Sequence, residues 1–525
     1  MSGTVDFDVA IVGCGPVGQL LAMLLGRQGH KVVILERHKA FYPLPRAVTF
    51  DDETARTLSG IGFDPDTDPK MEFFDTEYFL KNASQDVLLK LNWRGETPSG
   101  WRRWYWFSLP ELQERFQEII DALPQVSVMR GFEVQALRQD EAQVEVRGTH
   151  RPDDGEAKLS SLTAKFVIGA DGANSVVREL MGTTVTDLGF YYDWLIIDIK
   201  NTGNVPYDPP IWQFCDPARP QTLVPGGPGR RRWEIMLLPG ETAADVANTE
   251  ACWSFIAPWG SNPSNCELER FAVWRFQAKW ADHWAKGRLA IAGDAAHLMP
   301  PFAGQGMCAG LRDAVNLFWR LDLLLKGQAG LDLLDAYSDE RKEHVKYFID
   351  LSVGIGKVIC VIDPDEAVAR DQAMLAAMAD PSLAPPAPPP PALGPGNWVA
   401  SPGASLLSRQ GRVSVNGRHG RFDAFAPGGW RLIGLDHRPG ADLPAALGAQ
   451  FEALGGSRIA VSTTPQPDVI FDEHGIYADW LAELGADVVL VRPDHYVAFS
   501  ARKDELAERL ERVLNGLHLK VPEPA

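Results

Sequence analysis

Three glycines near the N-terminus have the spacing that lets a polypeptide backbone approach a pyrophosphate group. Gly13, Gly15 and Gly18 lie between an apolar run, FDVAIV, and a stretch of helical character, PVGQLLAMLLGRQ. The first glycine permits a tight turn, the second allows close approach of a phosphate, and the third lets helix and strand pack closely. The helix N-terminus adds N–H donors and a partial positive charge. Glu36 ends the next apolar run, where a carboxylate can accept the ribose hydroxyls, so this segment predicts a dinucleotide site rather than a glycine turn without a ligand.

A second motif, GADGANS, is less specific on its own. It spans Gly169 to Ser175 directly after an apolar run, and Arg178 follows one turn later. An Asp-Gly pair after a strand, here Asp171 and Gly172, is often only a turn. The motif therefore becomes informative only together with the others.

A third motif, GDAAH, spans Gly293 to His297 and precedes a glycine-rich helix start at Gly304–Gly306. Asp294 can bind a ribityl hydroxyl, and the glycines allow close approach of a large flat ring. The dipole of the following helix would face the edge of an isoalloxazine ring on which negative charge accumulates during reduction. His297 is a candidate acid or base, although a histidine held in the loop by local hydrogen bonds is the preferred interpretation. Taken in order, the three motifs are far more specific than any one of them.

The composition excludes several classes of function. The 525 residues carry a formal net charge of -18, which argues against binding nucleic acid. The six cysteines show neither CxxC pairs nor metal-ligand spacing, so free thiols and no metal site are expected. The N-terminus lacks signal-peptide character, and no apolar run approaches the ~20 residues of a membrane helix. We therefore expect a cytoplasmic protein without a membrane partner.

Alternating strand and helix patterns at the start of the chain predict a parallel α/β sheet. Short β-rich runs between about 183 and 276 predict an antiparallel sheet of their own. The proline-rich stretch PPAPPPPALGPG predicts an extended linker or surface strap, and a small α/β domain is expected after it.

The three motifs and several further stretches resemble the flavoprotein aromatic-hydroxylase family typified by para-hydroxybenzoate hydroxylase and phenol hydroxylase. Within that family the likeness is greatest to the 3-(3-hydroxyphenyl)propionate hydroxylases. The further stretches are Pro45-Arg46-Ala47 with Asp51-Asp52-Glu53, CDPARP from Cys215, GDAAHLMP, YSDERKEHVKYFIDLSV from Tyr337, and VRPD from Val491. The resemblance covers the chain to about Gly356 and resumes in the C-terminal part.

The pattern and the resemblance together imply the α/β fold class, with a Rossmann-like FAD-binding domain, an inserted β-sheet substrate domain and a C-terminal thioredoxin-like domain. The expected segments are 1–72, 150–182 and 285–378 for FAD binding, 73–149 and 183–284 for substrate binding, 379–397 for a Pro-rich linker, and 398–525 for the C-terminal domain. The C-terminal domain has no cysteine after Cys360, which excludes thiol redox chemistry there. Packing or support of a homodimer is its expected role.

The resemblance also assigns cofactor contacts. Glu36 binds the adenosine ribose, Arg46 lies against FAD, Asp171 serves FAD and the incoming nicotinamide, and Asp294 contacts the ribityl chain. The whole expected cofactor set is Gly13, Gly15, Pro16, Gly18, Glu36, Arg37, Arg46, Asp171, Gly172, Gly293, Asp294, Pro301, Gly304, Gln305, Gly306 and Met307.

The implied activity is that of a single-component monooxygenase that uses FAD, NADH or NADPH, and O2 to hydroxylate a phenol, through a flavin C4a-hydroperoxide. The resemblance suggests a phenol with a short acid side chain. The residues expected at the substrate are Trp194, Trp212, Pro301 and Phe302. The group that draws off the phenol proton stays open, with Tyr105, Tyr191 and Tyr192 as the first candidates and His297 as a further one.

Two departures from the family and two alternative functions remain. Leu109 stands where the family commonly has Gln, and Cys308 stands where it commonly has Asn.

One alternative is a Baeyer-Villiger or ring-cleaving oxygenase, which a lactone or ring-opened product would reveal. The other is a flavin-binding sensor or docking module without oxygenase activity, in which no phenol would stimulate oxidation of NADH or NADPH.

Overall fold

The computed structural model describes residues 5–41, 46–152, 155–203, 205, 207, 210–426, 428–441 and 443–519. Pro45, which belongs to one of the family-like stretches, lies outside the described residues, as do the chain ends at 1–4 and 520–525. The described chain forms a mixed α/β fold with three large sheets and a three-stranded one. The small sheet consists of Thr49–Asp51, Trp104–Phe107 and Met71–Glu72.

The first large sheet, called here the parallel sheet, carries the N-terminal glycine motif. Six of its eight strands lie in the spatial order Ala285–Lys286, Leu289–Ile291, Lys158–Gly169, Phe7–Val12, Val32–Glu36 and Val126–Arg130, and all of these six but the first run parallel. Val9 to Val12 are buried, as expected of a strand covered on both faces. Parallel strands place their carboxyl ends at one edge, so the three motifs meet there.

Part of the segment expected on the substrate side belongs to the parallel sheet instead. Within 73–149, the strand Val126–Arg130 pairs in parallel with Val32–Glu36. The strands Phe132–Gln139 and Val144–His150 form a hairpin that extends Lys158–Gly169. The reason is the length of Lys158–Gly169, whose first half pairs with the hairpin and whose second half pairs with Phe7–Val12.

Helices cover the parallel sheet and continue beyond it. They are Pro16–Arg27, Asp52–Gly60, Leu109–Asp121, Val176–Met181, Gly306–Leu325, Leu333–Ile359 and Pro364–Ala379. Pro16–Arg27 packs on Gly306–Leu325 through buried aliphatic side chains. No helix of the described part of the chain is both long and apolar enough to cross a lipid bilayer.

The second large sheet, called here the mixed sheet, has longer strands than the sequence pattern suggested. Its order is His297–Leu298, Cys266–Ala281, Val185–Asn201, Arg230–Met236, Gln221–Pro225, Trp212–Cys215, Glu77–Asn82 and Val87–Asn92. All neighbours are antiparallel except Trp212–Cys215 with Glu77–Asn82. The short helices Ala243–Val246 and Thr249–Ile256 follow Arg230–Met236 along the chain.

The third large sheet lies in the C-terminal part. Its order is Arg418–Arg421, Arg412–Val415, Ile470–Asp472, Ser457–Ser462, Arg431–Leu435, Val488–Val491 and Val497–Ala501. Its helices are Ala445–Ala453, Ile476–Leu484 and Leu506–Gly516. The proline-rich stretch runs from the short 3-10 helix Pro381–Leu383 to Asn397, which is buried against this part.

Candidate cofactor and substrate cavity

A cavity of about 1380 Å3 is lined by residues of both the parallel sheet and the mixed sheet. Cavities for drug-sized ligands have about 300–1,000 Å3, so this one has room for a dinucleotide and a separate aromatic ring. Its glycine end is lined by Gly13, Gly15, Glu36, Arg130, Asp171 and Asp294. Its sheet end is lined by Tyr78, Gln213, Thr222, Arg232 and Glu234.

The three N-terminal glycines differ in what surrounds them. Gly13 has φ +106°, and a Cβ there would lie 2.3 Å from the carbonyl oxygen of Ala170. A Cβ on Gly18 would lie 2.2 Å from the carbonyl oxygen of Gly13, so Gly18 serves packing and does not line the cavity. A Cβ on Gly15 would meet no atom within 4 Å. Only Gly15 therefore leaves space that a ligand can use at the start of helix Pro16–Arg27.

Two side chains at the ends of neighbouring strands frame the glycine end. Glu36 Oε2 accepts a hydrogen bond from the Cys14 amide at 2.9 Å, and Oε1 accepts one from the His38 amide at 2.8 Å. Arg130 is the register partner of Glu36 on the next strand, and among the described residues its buried Nη1 has no hydrogen-bond partner. A buried unpaired donor on a cavity wall suits a ligand that brings oxygen acceptors. Arg130 was not among the residues expected at the site, although its place at the end of a strand could have indicated it.

The carboxylate of Asp171 is used by the protein itself. Its Oδ1 accepts from the Ser175 hydroxyl at 2.5 Å and its Oδ2 accepts from the Val176 amide at 2.8 Å, at the start of helix Val176–Met181. Gly172, with φ +82°, lines the cavity beside it. The Asp171 carboxylate thus fixes the conformation of the motif, whose residues line the cavity.

The third motif gives the cavity an acid and an open helix start. The Asp294 carboxylate is surrounded by protein but exposed to the cavity, and burial raises its pKa against the charges of His297 and Arg46. A Cβ on Gly306, the first residue of helix Gly306–Leu325, would have its nearest neighbour 3.9 Å away. The backbone of this helix start is therefore accessible to a flat ligand.

His297 points away from the cavity. It is 2% exposed, and its Nε2 lies 2.8 Å from Asp313 Oδ2. Asp313 also accepts from the Gly293 amide at 3.0 Å and from Arg341 Nε at 2.8 Å. Burial alone would raise the pKa of Asp313, but the charges of His297 and Arg341 lower it. His297 therefore supports the loop from behind, and this placement excludes it as an acid or base in contact with a bound ring.

A buried hydrogen-bond network continues from Arg341 into the C-terminal part. Burial and the charges of Arg341 and Arg312 hold the pKa of His344 well below its usual value, so its ring is neutral. His344 Nδ1 accepts from Arg341 at 2.8 Å, its Nε2 donates to the Tyr496 hydroxyl at 3.1 Å, and that hydroxyl donates to Glu53 at 3.2 Å. Tyr496, which follows the proline-rich stretch in the chain, thus contacts Glu53 on helix Asp52–Gly60.

The same network ends at Gln305. Arg312 pairs with both Asp51 and Glu53, and its Nη1 donates to Gln305 Oε1 at 2.8 Å. Gln305 is buried behind the cavity wall and does not line it. Gln305 was expected to contact the cofactor directly, but its side-chain amide is hydrogen-bonded to Arg312 and Asp51. It therefore supports the cavity wall from behind.

The rest of the expected cofactor set reaches the cavity. The lining members are Gly13, Gly15, Pro16, Glu36, Arg37, Arg46, Asp171, Gly172, Gly293, Asp294, Pro301, Gly304, Gly306 and Met307. The two that lie behind the wall are Gly18 and Gln305.

Alternate residues of the mixed sheet face the sheet end of the cavity. Gln213, Thr222 and Glu234 are register partners across three strands, and all three line the cavity. Trp212 directly precedes Gln213, so it points to the opposite face, where its ring lies 4.4 Å from that of Trp259. Trp212 therefore does not line the cavity, contrary to the expectation for a substrate contact.

Of the other expected substrate residues, Pro301 and Phe302 line the cavity and Trp194 does not. The Trp194 ring lies 5.5 Å from the Phe302 ring and 6.1 Å from the Phe276 ring, and the residue is fully buried. Trp194 therefore supports Phe302 from behind.

None of the three tyrosine candidates lines the cavity. The Tyr105 hydroxyl donates to Asp66 at 2.7 Å in the core. Tyr191 is 60% exposed, and Tyr192 packs against Phe190 with a ring separation of 5.2 Å. These positions exclude direct contact with a ring bound in the cavity.

Other residues that the sequence reasoning did not place at the site do line it. In strand Trp104–Phe107 the rings of Trp104 and Trp106 face the cavity, while Tyr105 points to the core. Leu109, one of the two departures from the family pattern, also lines the cavity. One turn later, Gln113 also lines it, and its Nε2 donates to the Cys14 carbonyl at 3.3 Å. Cys308 is buried behind the wall.

The described residues contain no group of three or more His, Cys, Asp or Glu side chains arranged to hold a metal ion. They do fit a flavin dinucleotide. The backbone at Gly15 and Gly306 is open, Arg130 has an unused donor, and Asp294 presents a carboxylate to the cavity.

Residues 6–352 match a family model described as an FAD binding domain, and residues 406–516 match one described as the HcaD C-terminal domain. A probable NADH-specific resorcinol 4-hydroxylase of Rhodococcus jostii is 36% identical, over 95% of this chain and 93% of that protein. A 3-(3-hydroxy-phenyl)propionate/3-hydroxycinnamic acid hydroxylase of Burkholderia vietnamiensis is 32% identical, over 94% of this chain and 93% of that protein.

Solved structures share the fold. Aklavinone-11 hydroxylase, in a ternary complex with FAD and aklavinone, is 23% identical with a TM-score of 0.77, covering 98% of this chain and 100% of that one. The flavin-dependent monooxygenase PieE, in complex with FAD and substrate, is 22% identical with a TM-score of 0.78, with the same coverage. The chain thus belongs to the family of FAD-dependent aromatic hydroxylases.

Proposed function

We propose that this protein is a single-component monooxygenase that uses FAD, NADH or NADPH, and O2 to hydroxylate a phenolic ring. The observation that carries the proposal is the continuity of the cavity, whose glycine end suits a dinucleotide and whose sheet end suits a ring with hydroxyl groups. A cofactor bound at the first end and a ring bound at the second would share one cavity.

The residues of the glycine end would hold FAD. The backbone at Gly15 and the following helix start would meet the pyrophosphate, Glu36 the adenosine ribose, Asp294 the ribityl chain and Gly306 the ring system. Bound FAD would accept hydride from the nicotinamide and activate O2 for transfer to the substrate.

The apolar part of the wall would exclude water from the reacting ring. It consists of Leu80, Leu89, Trp106, Val224, Phe302, Ile355 and Val358. Water exclusion matters because activated oxygen is otherwise lost without transfer to the substrate. Met374 and Pro388 also line the cavity, so helix Pro364–Ala379 and the proline-rich stretch contribute to its closure.

The substrate is a phenol such as resorcinol or 3-(3-hydroxyphenyl)propionate, in keeping with the names of the relatives. Polar groups at the sheet end can hydrogen-bond ring hydroxyls. The cationic Arg46 and Arg103 also line the cavity and could pair with an acid side chain.

We keep the expected domain boundaries with one change. Residues 126–149 join the FAD-binding segments 1–72, 150–182 and 285–378, because their strands belong to the parallel sheet. The C-terminal domain is thioredoxin-like in this proposal. Support comes from the neighbouring strands Ser457–Ser462, Arg431–Leu435, Val488–Val491 and Val497–Ala501, in which the first pair is parallel and the next two are antiparallel.

The C-terminal domain acts by packing, as the contact of Tyr496 with Glu53 and His344 supports. A homodimer and a cytoplasmic location stay predictions. The buried free thiols of all six cysteines support a reducing compartment.

Purified protein should oxidise NADH or NADPH faster when resorcinol or 3-(3-hydroxyphenyl)propionate is added, because these phenols fit the sheet end. The rate is followed by nicotinamide absorbance and O2 uptake, and the product is identified by mass spectrometry. 3-Phenylpropionate, which lacks the hydroxyl, serves as the control and should give no hydroxylated product. If the protein is yellow but no phenol increases its oxidation of NADH or NADPH, the alternative of a flavin-binding sensor or docking module is supported. A lactone or a ring-opened product would support a Baeyer-Villiger or ring-cleaving oxygenase.

A further inference from the structure

Glu234 is a buried carboxylate that faces the cavity at its sheet end. It is 8% exposed and lies on strand Arg230–Met236 opposite Thr222. Thr222 lies in turn opposite Gln213, and its hydroxyl is hydrogen-bonded to the Gln213 side chain. Acid, hydroxyl and amide therefore form one polar row on the cavity side of the sheet.

The charged groups around Glu234 leave its carboxylate available. Arg232 is committed to Asp198, with its Nε donating at 2.7 Å, and Arg270 lies 3.8 Å from the same acid. When Glu234 is ionised, the charges of Arg232 and Arg270 are balanced by those of Asp198 and Glu234. Burial raises the pKa of Glu234 to about 7, opposed by Arg232 and assisted by Asp198. Tyr78 also lines the cavity, but burial raises the pKa of its phenol, so it stays protonated.

We propose that the Glu234 carboxylate accepts the proton of the substrate's ring hydroxyl, with Gln213 and Thr222 fixing the position of that hydroxyl. This inference rests on the proposed function. The O–H bond of the phenol breaks, an O–H bond forms on Glu234, and the electron pair remains on the ring oxygen. No oxidant or reductant is needed for this step.

Ionisation of the hydroxyl is useful because a phenolate donates more electron density to its ortho and para carbons than a phenol does. A general base is most effective when it ionises near the working pH and touches the proton that it removes. Glu234 meets the first condition, and its place on the polar row of the cavity wall satisfies the second for a ring that lies against Gln213 and Thr222.

The test compares Glu234→Gln with Glu269→Gln in the FAD-loaded protein, with resorcinol as substrate. Glu269 pairs with Arg230 on the same sheet but does not line the cavity, so its loss should leave turnover unchanged. Glu234→Gln should lower kcat for product formation roughly a hundredfold at neutral pH, within the usual contribution of a general base. FAD content should stay as in the natural protein, which shows that the variant folds and binds its cofactor.

Two readouts separate proton transfer from a merely structural effect. In the natural protein kcat should rise with pH through about 7, as Glu234 loses its proton. In Glu234→Gln the rise of kcat should shift to higher pH, towards the pH at which the phenol itself ionises. A fluorinated resorcinol, whose hydroxyl ionises more readily, should recover activity in Glu234→Gln more than in the natural protein, and Glu234→Asp should recover part of the rate.

An unchanged rate and pH profile in Glu234→Gln would overturn the assignment. So would a loss of rate that fluorination of the substrate does not relieve. If instead the natural protein itself fails to respond to any phenol, the proposed function fails, and the comparison of variants is not reached.

Discussion

Gly15→Ala is expected to purify without its flavin while the flavin-free protein remains as stable as the natural one. The methyl group meets no protein atom within 4 Å, and Gly15 has the ordinary extended φ of -82°, so the fold tolerates it. The methyl would occupy the space where the pyrophosphate should contact the helix start. Losing two hydrogen bonds to a charged phosphate, each about 1.5 kcal/mol, should raise the Kd of FAD roughly a hundredfold.

The measurement is a titration of flavin-free protein with FAD, followed by quenching of flavin fluorescence, together with thermal unfolding of the flavin-free form. Gly18→Ala is the contrasting variant, because its Cβ would lie 2.2 Å from the Gly13 carbonyl oxygen. It should lower both the unfolding temperature and FAD affinity. If Gly15→Ala binds FAD as tightly as the natural protein, the glycine loop does not hold the cofactor.

Arg492→Met should release the C-terminal domain from the helices that it covers. Arg492 is fully buried, makes two 2.8 Å bonds to Glu340, and also pairs with Asp494. Arg320 is the other cation at Glu340, at 2.8 Å. Removing one partner of a buried ion pair leaves charge without compensation and costs about 3–5 kcal/mol of unfolding free energy. The midpoint of urea unfolding should fall accordingly, as measured by tryptophan fluorescence, to which Trp319 and Trp430 contribute with rings 5.6 Å apart at this contact.

Arg412→Met is the matched control. Its exposed pair with Glu96 also joins the C-terminal part to the rest of the chain, yet an exposed ion pair contributes only about 0–1 kcal/mol. If Arg492→Met and Arg412→Met unfolded at the same urea concentration, the buried ion pairs of Arg492 would not stabilise the protein more than the exposed pair does.

Acid should weaken the same contact in the natural protein. Burial alone would raise the pKa of Glu340, but Arg320 and Arg492 hold it at about 2, below its usual value of 4.5. A group with a lowered folded-state pKa stabilises the fold above its unfolded pKa and loses that contribution as the pH falls towards the folded value. The stabilisation by Glu340 should therefore fade between about pH 4.5 and 2, and Arg492→Met, in which only Arg320 remains at Glu340, should show a weaker dependence.

The local part of the site could be predicted from the sequence because its signals are local. Turn glycines and the acid at the end of a strand depend on a few neighbouring residues, and the structure puts Gly13, Gly15, Glu36 and Asp294 at one cavity. The parallel strand Phe7–Val12 and its helix were equally visible, since an apolar run, glycines and a helical pattern follow one another.

The substrate side could not be predicted in the same way. Strand register decides which residues face the cavity, and one position separates Trp212, which points away, from Gln213, which points in. A large aromatic residue such as Trp212 is an obvious candidate for a substrate contact. Glu234 follows three arginines in its strand, and no local pattern distinguishes it. The network from Gln305 to Tyr496 joins residues far apart in the chain, so no local pattern reveals it.

Turnover of resorcinol under isotopically labelled O2 tests the central claim most directly. If the protein is the proposed monooxygenase, the product is ring-hydroxylated, carries one labelled oxygen atom and forms in step with the NADH or NADPH consumed. A product without label, or consumption of the reductant that yields only hydrogen peroxide with every phenol tried, would contradict it.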